Sequence, residues 1–116
     1  MFSRAGRAGA LALSLAFPMW GQDAKRIDWS EALKSALTKV QPEYSGTARQ
    51  LKLQGRVEVE IYIADDGSVS KAKVLNGNPI LGMAATEALK HWKFSPFKDD
   101  GKAISVVSTV PFDFKM

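Results

Sequence analysis

The sequence predicts an α+β domain: a small three-stranded antiparallel sheet backed by two helices, with an additional N-terminal amphipathic helix in front. Three stretches carry that reading. "RVEVEIYIADDGSVSKAKVL" alternates apolar and polar residues on both sides of an Asp-Gly step, as two strands of a hairpin do. "NPILGMAATEALKHW" repeats its apolar residues at helical spacing, and "AISVVSTVPFDFKM" alternates again near the end. Strands and helices in that order form a sheet with helices on one face.

A chain of 116 residues with 46% hydrophobic content suits one globular domain. There is no Cys, so neither disulfides nor thiolate metal sites are available, and a lipoprotein anchor is excluded. Arg4 and Arg7 precede the apolar run of residues 8–17, and Pro18 and Gly21 follow it. This order predicts a secretory signal peptide over residues 1–21, or a short uncleaved anchor, and so a periplasmic protein. The apolar run is shorter than the roughly 20 residues a membrane span needs. Without Arg4 and Arg7 the formal charge of +4 falls to +2. The pI of about 9.5 invites a nucleic-acid reading, but the remaining Lys and Arg are interspersed with acids, so a mixed solvated surface is expected and no nucleic acid.

The first element is expected within residues 22–41, an N-terminal helical segment. In "DWSEALKSALTKV", Asp28 and Glu31 have capping-box spacing, and Trp29, Leu33, Ala36, Leu37 and Val40 share a helical face up to Pro42. Residues 42–116 form the domain proper. A turn and a short helix around residues 47–52 are expected in "PEYSGTARQLKLQG", closed by Gly55.

Val57, Val59, Ile61 and Ile63 then point one way, and Glu58, Glu60 and Tyr62 the other. Asp66-Gly67 predicts a two-residue turn with positive φ at both central positions. That turn pairs Glu60 with Lys73, Tyr62 with Lys71, Ile61 with Ala72 and Val59 with Val74. A slip of one residue would set Glu against Val. Asn78 caps the next helix, with Pro79 at its first position. Leu81, Ala84, Ala85, Ala88, Leu89 and Trp92 form its apolar stripe, opposite Thr86, Glu87, Lys90 and Lys93. Trp92 and Phe94 are therefore expected in the core. After a turn at "DDGK", Ile104, Val106, Val110, Phe112 and Phe114 share one face of the last strand.

Catalytic chemistry finds little support. His91 is the single His, and four residues after Glu87 it reads as half of an exposed helical pair. Asp65-Asp66 and Asp99-Asp100 each precede Gly at a tight turn, where Asp serves turn geometry, and neither run has the spacing of a calcium loop. No enzyme, no metal and no cofactor are expected.

"GRVEVEIYIADDGSVSKAKVL", "AATEALKHWKFSPF" and "DGKAISVVSTVPFDF" together resemble the C-terminal domain of the TonB family of energy transducers. The resemblance covers roughly residues 42–114, and the order and spacing of the three pieces carry it. It implies a sheet whose first strand is central and whose third strand lies on an edge. It further implies that this edge captures the N-terminal segment of a TonB-dependent outer-membrane receptor as an added strand. Ser105, Val106, Val107, Ser108, Thr109 and Val110 are then the peptide-binding edge strand. Lys71 and Lys73 guard the opposite edge, whereas Ser105, Val107 and Thr109 are uncharged, and Pro111 is tolerated best at an edge.

Glu43 and Tyr44 map to a loop near the captured peptide; the family usually has Tyr-Pro there, against Tyr44-Ser45 here. The competing expectation is an edge covered by the N-terminal segment or by another copy of the domain, in a structural or regulatory interaction protein without energy transduction. From Gly21 to Ile27 an extended chain reaches only about 20–25 Å at roughly 3.5 Å per residue, which is too short to carry an anchored domain to an outer-membrane receptor. Coupling to the inner-membrane motor complex is expected only of a chain whose N-terminus stays in the membrane.

Overall fold

The computed structural model describes residues 24–115. The predicted signal segment lies outside the described residues. Among the described residues no helix is long and apolar enough to cross a membrane.

Within the described residues strand β1 (Lys25–Arg26) comes first and leads through Ile27 and Asp28 into helix α1 (Trp29–Lys34). The expected long first helix stops here after six residues, and β2 (Ala36–Thr38) follows. Asp28 takes the extended N-cap conformation, but its side chain makes no cap hydrogen bond. The helix ends because the next segment has better partners elsewhere. β2 pairs with residues 93–94, Ser95 N–H donates to the Ser35 carbonyl at 2.8 Å, and Trp92 Nε1 donates to the Val40 carbonyl at 2.9 Å. Tertiary bonds override a local helical preference. Leu37, placed by its spacing on the helix's apolar face, is instead 70% exposed.

Helix α2 (Gly46–Gln50) matches the expected short helix. Ser45 accepts from Ala48 N–H at 3.1 Å, and the far end closes with Leu53 N–H on Ala48 and Lys52 N–H on Arg49, with Lys52 at φ 54°.

β3 (Gly55–Ile63) is central, with Val57, Val59, Ile61 and Ile63 fully buried, and β4 (Val69–Asn76) pairs with it antiparallel. The four predicted cross-strand pairs, Glu60 with Lys73, Tyr62 with Lys71, Ile61 with Ala72 and Val59 with Val74, are all present. The turn differs from the expected two-residue type. Gly67 N–H donates to Ala64 and Ala64 N–H to Ser68, and Gly67 has φ 92° while Asp66 does not have positive φ. This is a three-residue loop ending in a left-handed Gly. Ile63 therefore faces Val69, and a bulge at Ser70 restores the predicted register one step later. Gly67 also lies against the chain that follows the next helix: a Cβ there would sit 1.9 Å from the Phe94 carbonyl oxygen.

Helix α3 (Pro79–Leu89) begins as expected, with Asn78 Oδ1 accepting from Ile80 N–H at 2.8 Å. Leu81, Ala85, Ala88 and Leu89 are buried against the sheet. The chain leaves through β5 (Lys93–Phe94), which is the partner of β2. The expected final strand is divided. β6 (Phe97–Asp99) and β7 (Lys102–Ile104) form a small hairpin, and β8 (Val106–Phe114) returns to the main sheet. The two positive φ angles expected at Asp66-Gly67 occur instead at Asp100 (52°) and Gly101 (80°), which connect β6 to β7.

The main sheet has the order β1-β8-β3-β4. Its three long strands are the expected antiparallel set, with β3 central; β1 adds a fourth strand, parallel to β8. Trp92 and Phe94 belong to the core as predicted. Trp29 lies 5.6 Å from Trp92 and 6.2 Å from Phe94 between ring centres, and half-buried Phe97 lies 6.1 Å from Phe94.

Candidate functional site

Val106, Ser108 and Val110 of strand β8 face the core and are buried, with Phe114 further along the same face. Val107, which is also buried, and Thr109, Pro111 and Asp113 lie on the other face, where Thr109 is directly opposite Glu60 of β3 and Asp113 opposite Arg56. Ser105 sits in the break between β7 and β8.

The outer edge of β8 already receives a strand. Lys25 N–H donates to the Ser105 carbonyl and Ile27 N–H to the Val107 carbonyl, both at 3.0 Å. The pairing is parallel, Lys25 with Val106 and Arg26 with Val107. Ser108, fully buried, donates from Oγ to the Ile27 carbonyl at 2.9 Å. A buried hydroxyl needs such an acceptor, and the end of β1 supplies it.

Side chains hold β1 from the other face. The Arg26 guanidinium bonds the Glu60 carboxylate and reaches Thr109 Oγ1 at 3.4 Å. Tyr62 donates to the second Glu60 oxygen at 3.3 Å, and Lys73 stands opposite Glu60 on β4. The Arg26 hydrogen bond is the chief cause holding the Glu60 carboxyl below its usual range. At the far end of β8, Arg56 grips Asp113 with two bonds, at 3.0 and 3.3 Å.

Glu43 and Tyr44 lie away from Ser105, toward the other end of β8. Tyr44 donates to the Leu53 carbonyl at 3.0 Å, and its ring meets Phe114 edge-on at 5.6 Å. Val106 and Phe114 are eight strand steps apart, roughly 27 Å at about 3.4 Å per residue. Tyr44 thus meets the far end of β8, away from the Ser105–Val107 stretch that β1 pairs with. Glu43 and Tyr44 also line an open groove of about 750 Å³ against α3, with Ile80, Met83 and Ala84 on its apolar side and Glu87 and His91 at its rim.

Of the two expectations for this edge, the structure shows the competing one at Ser105 to Val107, where the N-terminal segment covers it. Sequence reasoning did not name Lys25, Arg26 and Ile27 as the covering residues, or Glu60 as the group that holds them. A two-residue strand has no periodicity to detect, and the only signal was the unassigned cationic pair before Asp28.

The acids near Gly have structural partners in one case: Asp66 Oδ1 accepts from both the amide and the hydroxyl of Ser68, at 2.9 and 2.7 Å. His91 Nε2 lies 3.5 Å from Glu87, as the helical spacing predicts, and both are exposed. Among the described residues no group of three or more His, Cys, Asp or Glu is placed to hold a metal ion.

A central β3 flanked by two antiparallel strands, backed by a helix that ends in Trp-x-Phe, is the arrangement the resemblance implied, except that β8 is not the outermost strand, because β1 pairs with its first residues. The family model described as "Gram-negative bacterial TonB protein C-terminal" matches residues 40–116. The chain belongs to the TonB C-terminal family. Protein TonB of Vibrio cholerae serotype O1 is 38% identical over 87 residues, which are 73% of this chain and 35% of that protein. Protein tonB2 of Pseudomonas aeruginosa is 35% identical over 77 residues, 65% of this chain and 28% of that protein. The chain thus spans about a third of the length of the TonB proteins it matches.

Among solved structures, the solution structure of the Pseudomonas aeruginosa TonB C-terminal domain superimposes with a TM-score of 0.60 at 28% identity, covering 70% of this chain and 84% of that one. The TonB2 protein of Vibrio anguillarum gives 0.53 at 27% identity, covering all of this chain and 96% of that one. Strand β1 lies before the part matched by the family model.

Proposed function

We propose that this chain is a non-enzymatic periplasmic module of the TonB C-terminal type. It captures an extended N-terminal segment of a TonB-dependent outer-membrane receptor along the outer edge of β8, and it serves TonB-dependent transport. The observation that carries the reading is the pairing of β1 with Ser105 and Val107: this edge has the backbone geometry to accept a strand, and accepts it parallel. Strand addition draws affinity from main-chain bonds and selectivity from the side chains beside them. Here those side chains are Glu60 and Thr109 near the start of β8 and Tyr44 near its end.

The opposite edge is unsuited to the task. Lys71 and Lys73 extend from β4 on the polar face, and like charges discourage a second strand there. The acids of the outer sheet face, Glu58 and Glu60, oppose a nucleic-acid reading.

A second reading, favoured by the same β1 pairing, is an interaction protein whose edge stays closed or takes a second copy of the chain, without energy transduction. An NMR titration with synthetic N-terminal peptides of the host's TonB-dependent receptors separates the two. Receptor capture predicts saturable shifts along residues 105–110 and a stoichiometry of one peptide per chain. A folded protein that shows no shift with any peptide rules receptor capture out, and a mass that doubles with concentration favours the second copy.

A further inference from the structure

We propose that β1 is a displaceable internal occupant of the β8 edge, held by an Arg26–Glu60 latch, so that a partner strand binds by exchange with it. The inference rests on the receptor-capture reading and adds its regulation.

Three features make β1 removable. It is short: its ladder pairing covers Val106 and Val107, whereas β3 is paired to β8 at every position from Val106 to Phe114. It is superficial: Lys25 and Arg26 are exposed, and neither contributes to the core. It is also separable. The first residue packed against the core is Ile27, fixed through its carbonyl to Ser108, and α1 begins two residues later. Lys25, Arg26 and the peptide unit that carries the Ile27 amide can therefore lift away from Ser105 and Val107 while the Ile27 carbonyl, held by Ser108, and α1 remain in place.

The same features supply a starting point for exchange. Ser105 and Val107 direct their carbonyls to the outer side of β8. By the alternation of a strand, Thr109, Pro111 and Asp113 turn their backbone groups the same way. This stretch lies beyond the pairing of β1. An incoming parallel segment can dock there and then compete for Val107 and Ser105.

What resists it is the latch. Arg26 faces Glu60, which is also approached by Tyr62 on its own strand, by Lys73 from β4 and by Thr109 from β8. Arg26 is 59% exposed on its side chain, so salt weakens the pair. The latch thus sets the fraction of chains with an open edge, and apparent peptide affinity scales with that fraction.

The test compares the full-length wild type with Arg26→Ala, which removes the latch, and Lys25→Pro, which removes the amide donated to Ser105. Each is titrated with a synthetic receptor N-terminal peptide at low and high salt, and amide hydrogen exchange at Ile27 is followed without peptide. Exchange at Ile27 quickens in both variants, and peptide affinity rises about two- to five-fold. Raising the salt increases the affinity of the wild type relative to that of Arg26→Ala. Unchanged or weaker peptide affinity in both variants, with Ile27 exchange quickened, overturns displacement, because an opened edge then gains the peptide nothing. Unchanged Ile27 exchange in Arg26→Ala overturns the latch. If no protein binds peptide although Ile27 exchange quickens, receptor capture falls, and the opening of β1 stands on exchange alone.

Discussion

Ser108 Oγ donates to the carbonyl of Ile27 at 2.9 Å, across 81 positions of sequence, and so ties the buried face of β8 to the start of the described chain. Ser108 is the buried polar residue among the apolar side chains of this face. Replacing it with Ala leaves the Ile27 carbonyl without that donor. We expect Ser108→Ala to lose about 1–2 kcal/mol in urea denaturation and to speed amide exchange at Ile27. Unchanged stability together with unchanged exchange would show that the bond does not hold β1.

Trp92 ties a second crossing. Its Nε1–H reaches the Val40 carbonyl at 2.9 Å while its ring packs against both Trp29 and Phe94. Trp92→Phe keeps an aromatic ring but deletes the donor. The variant should unfold about 1–3 kcal/mol more easily, with the midpoint of a urea titration shifted down and its slope preserved. A slope change would instead indicate loss of the cooperative core.

Two glycines separate conformational strain from steric clash. Gly101 (φ 80°) has nothing within 4 Å of an added Cβ, whereas Gly67 (φ 92°) has the Phe94 carbonyl oxygen at 1.9 Å. Gly101→Ala should cost about 1–2 kcal/mol, from backbone strain. Gly67→Ala should cost at least about 3 kcal/mol, because β5 must also move. Equal losses in thermal unfolding would contradict the close approach of Gly67 to Phe94.

Acid should weaken the fold. Glu60 is held below its usual 4.5 chiefly by the Arg26 hydrogen bond. Asp66 and Asp113 are held below 3.8, chiefly by the Ser68 hydroxyl and by Arg56 respectively. A carboxyl whose pKa is lower in the folded chain binds protons more readily when unfolded. Its contribution is complete above the unfolded pKa and disappears as pH falls through the folded one. Denaturation midpoints should therefore be flat near neutrality and decline below about pH 4.5, with a shallower decline in Glu60→Gln. The same decline in Glu60→Gln as in the wild type would mean that Arg26 does not stabilise the ionised form.

The sequence by itself determined the three long strands, the capped helix α3, the register of the central hairpin and the family, because each is written in local periodicity, turn chemistry and capping. Val59 can face Val74 and Glu60 face Lys73 in one register only, so even an unexpected three-residue turn is compensated by a bulge. It also placed Trp92 and Phe94 in the core, from the apolar stripe of one helix. Tertiary structure alone decided where the first helix ends, since the backbone bond between Ser35 and Ser95 and the bond from Trp92 to Val40 join segments more than 50 residues apart. It alone decided which residues of the N-terminal segment lie on the β8 edge as well. Lys25 and Arg26 carry no pattern, and their position follows from Ile27, Ser108 and Glu60, which meet only after the chain has folded.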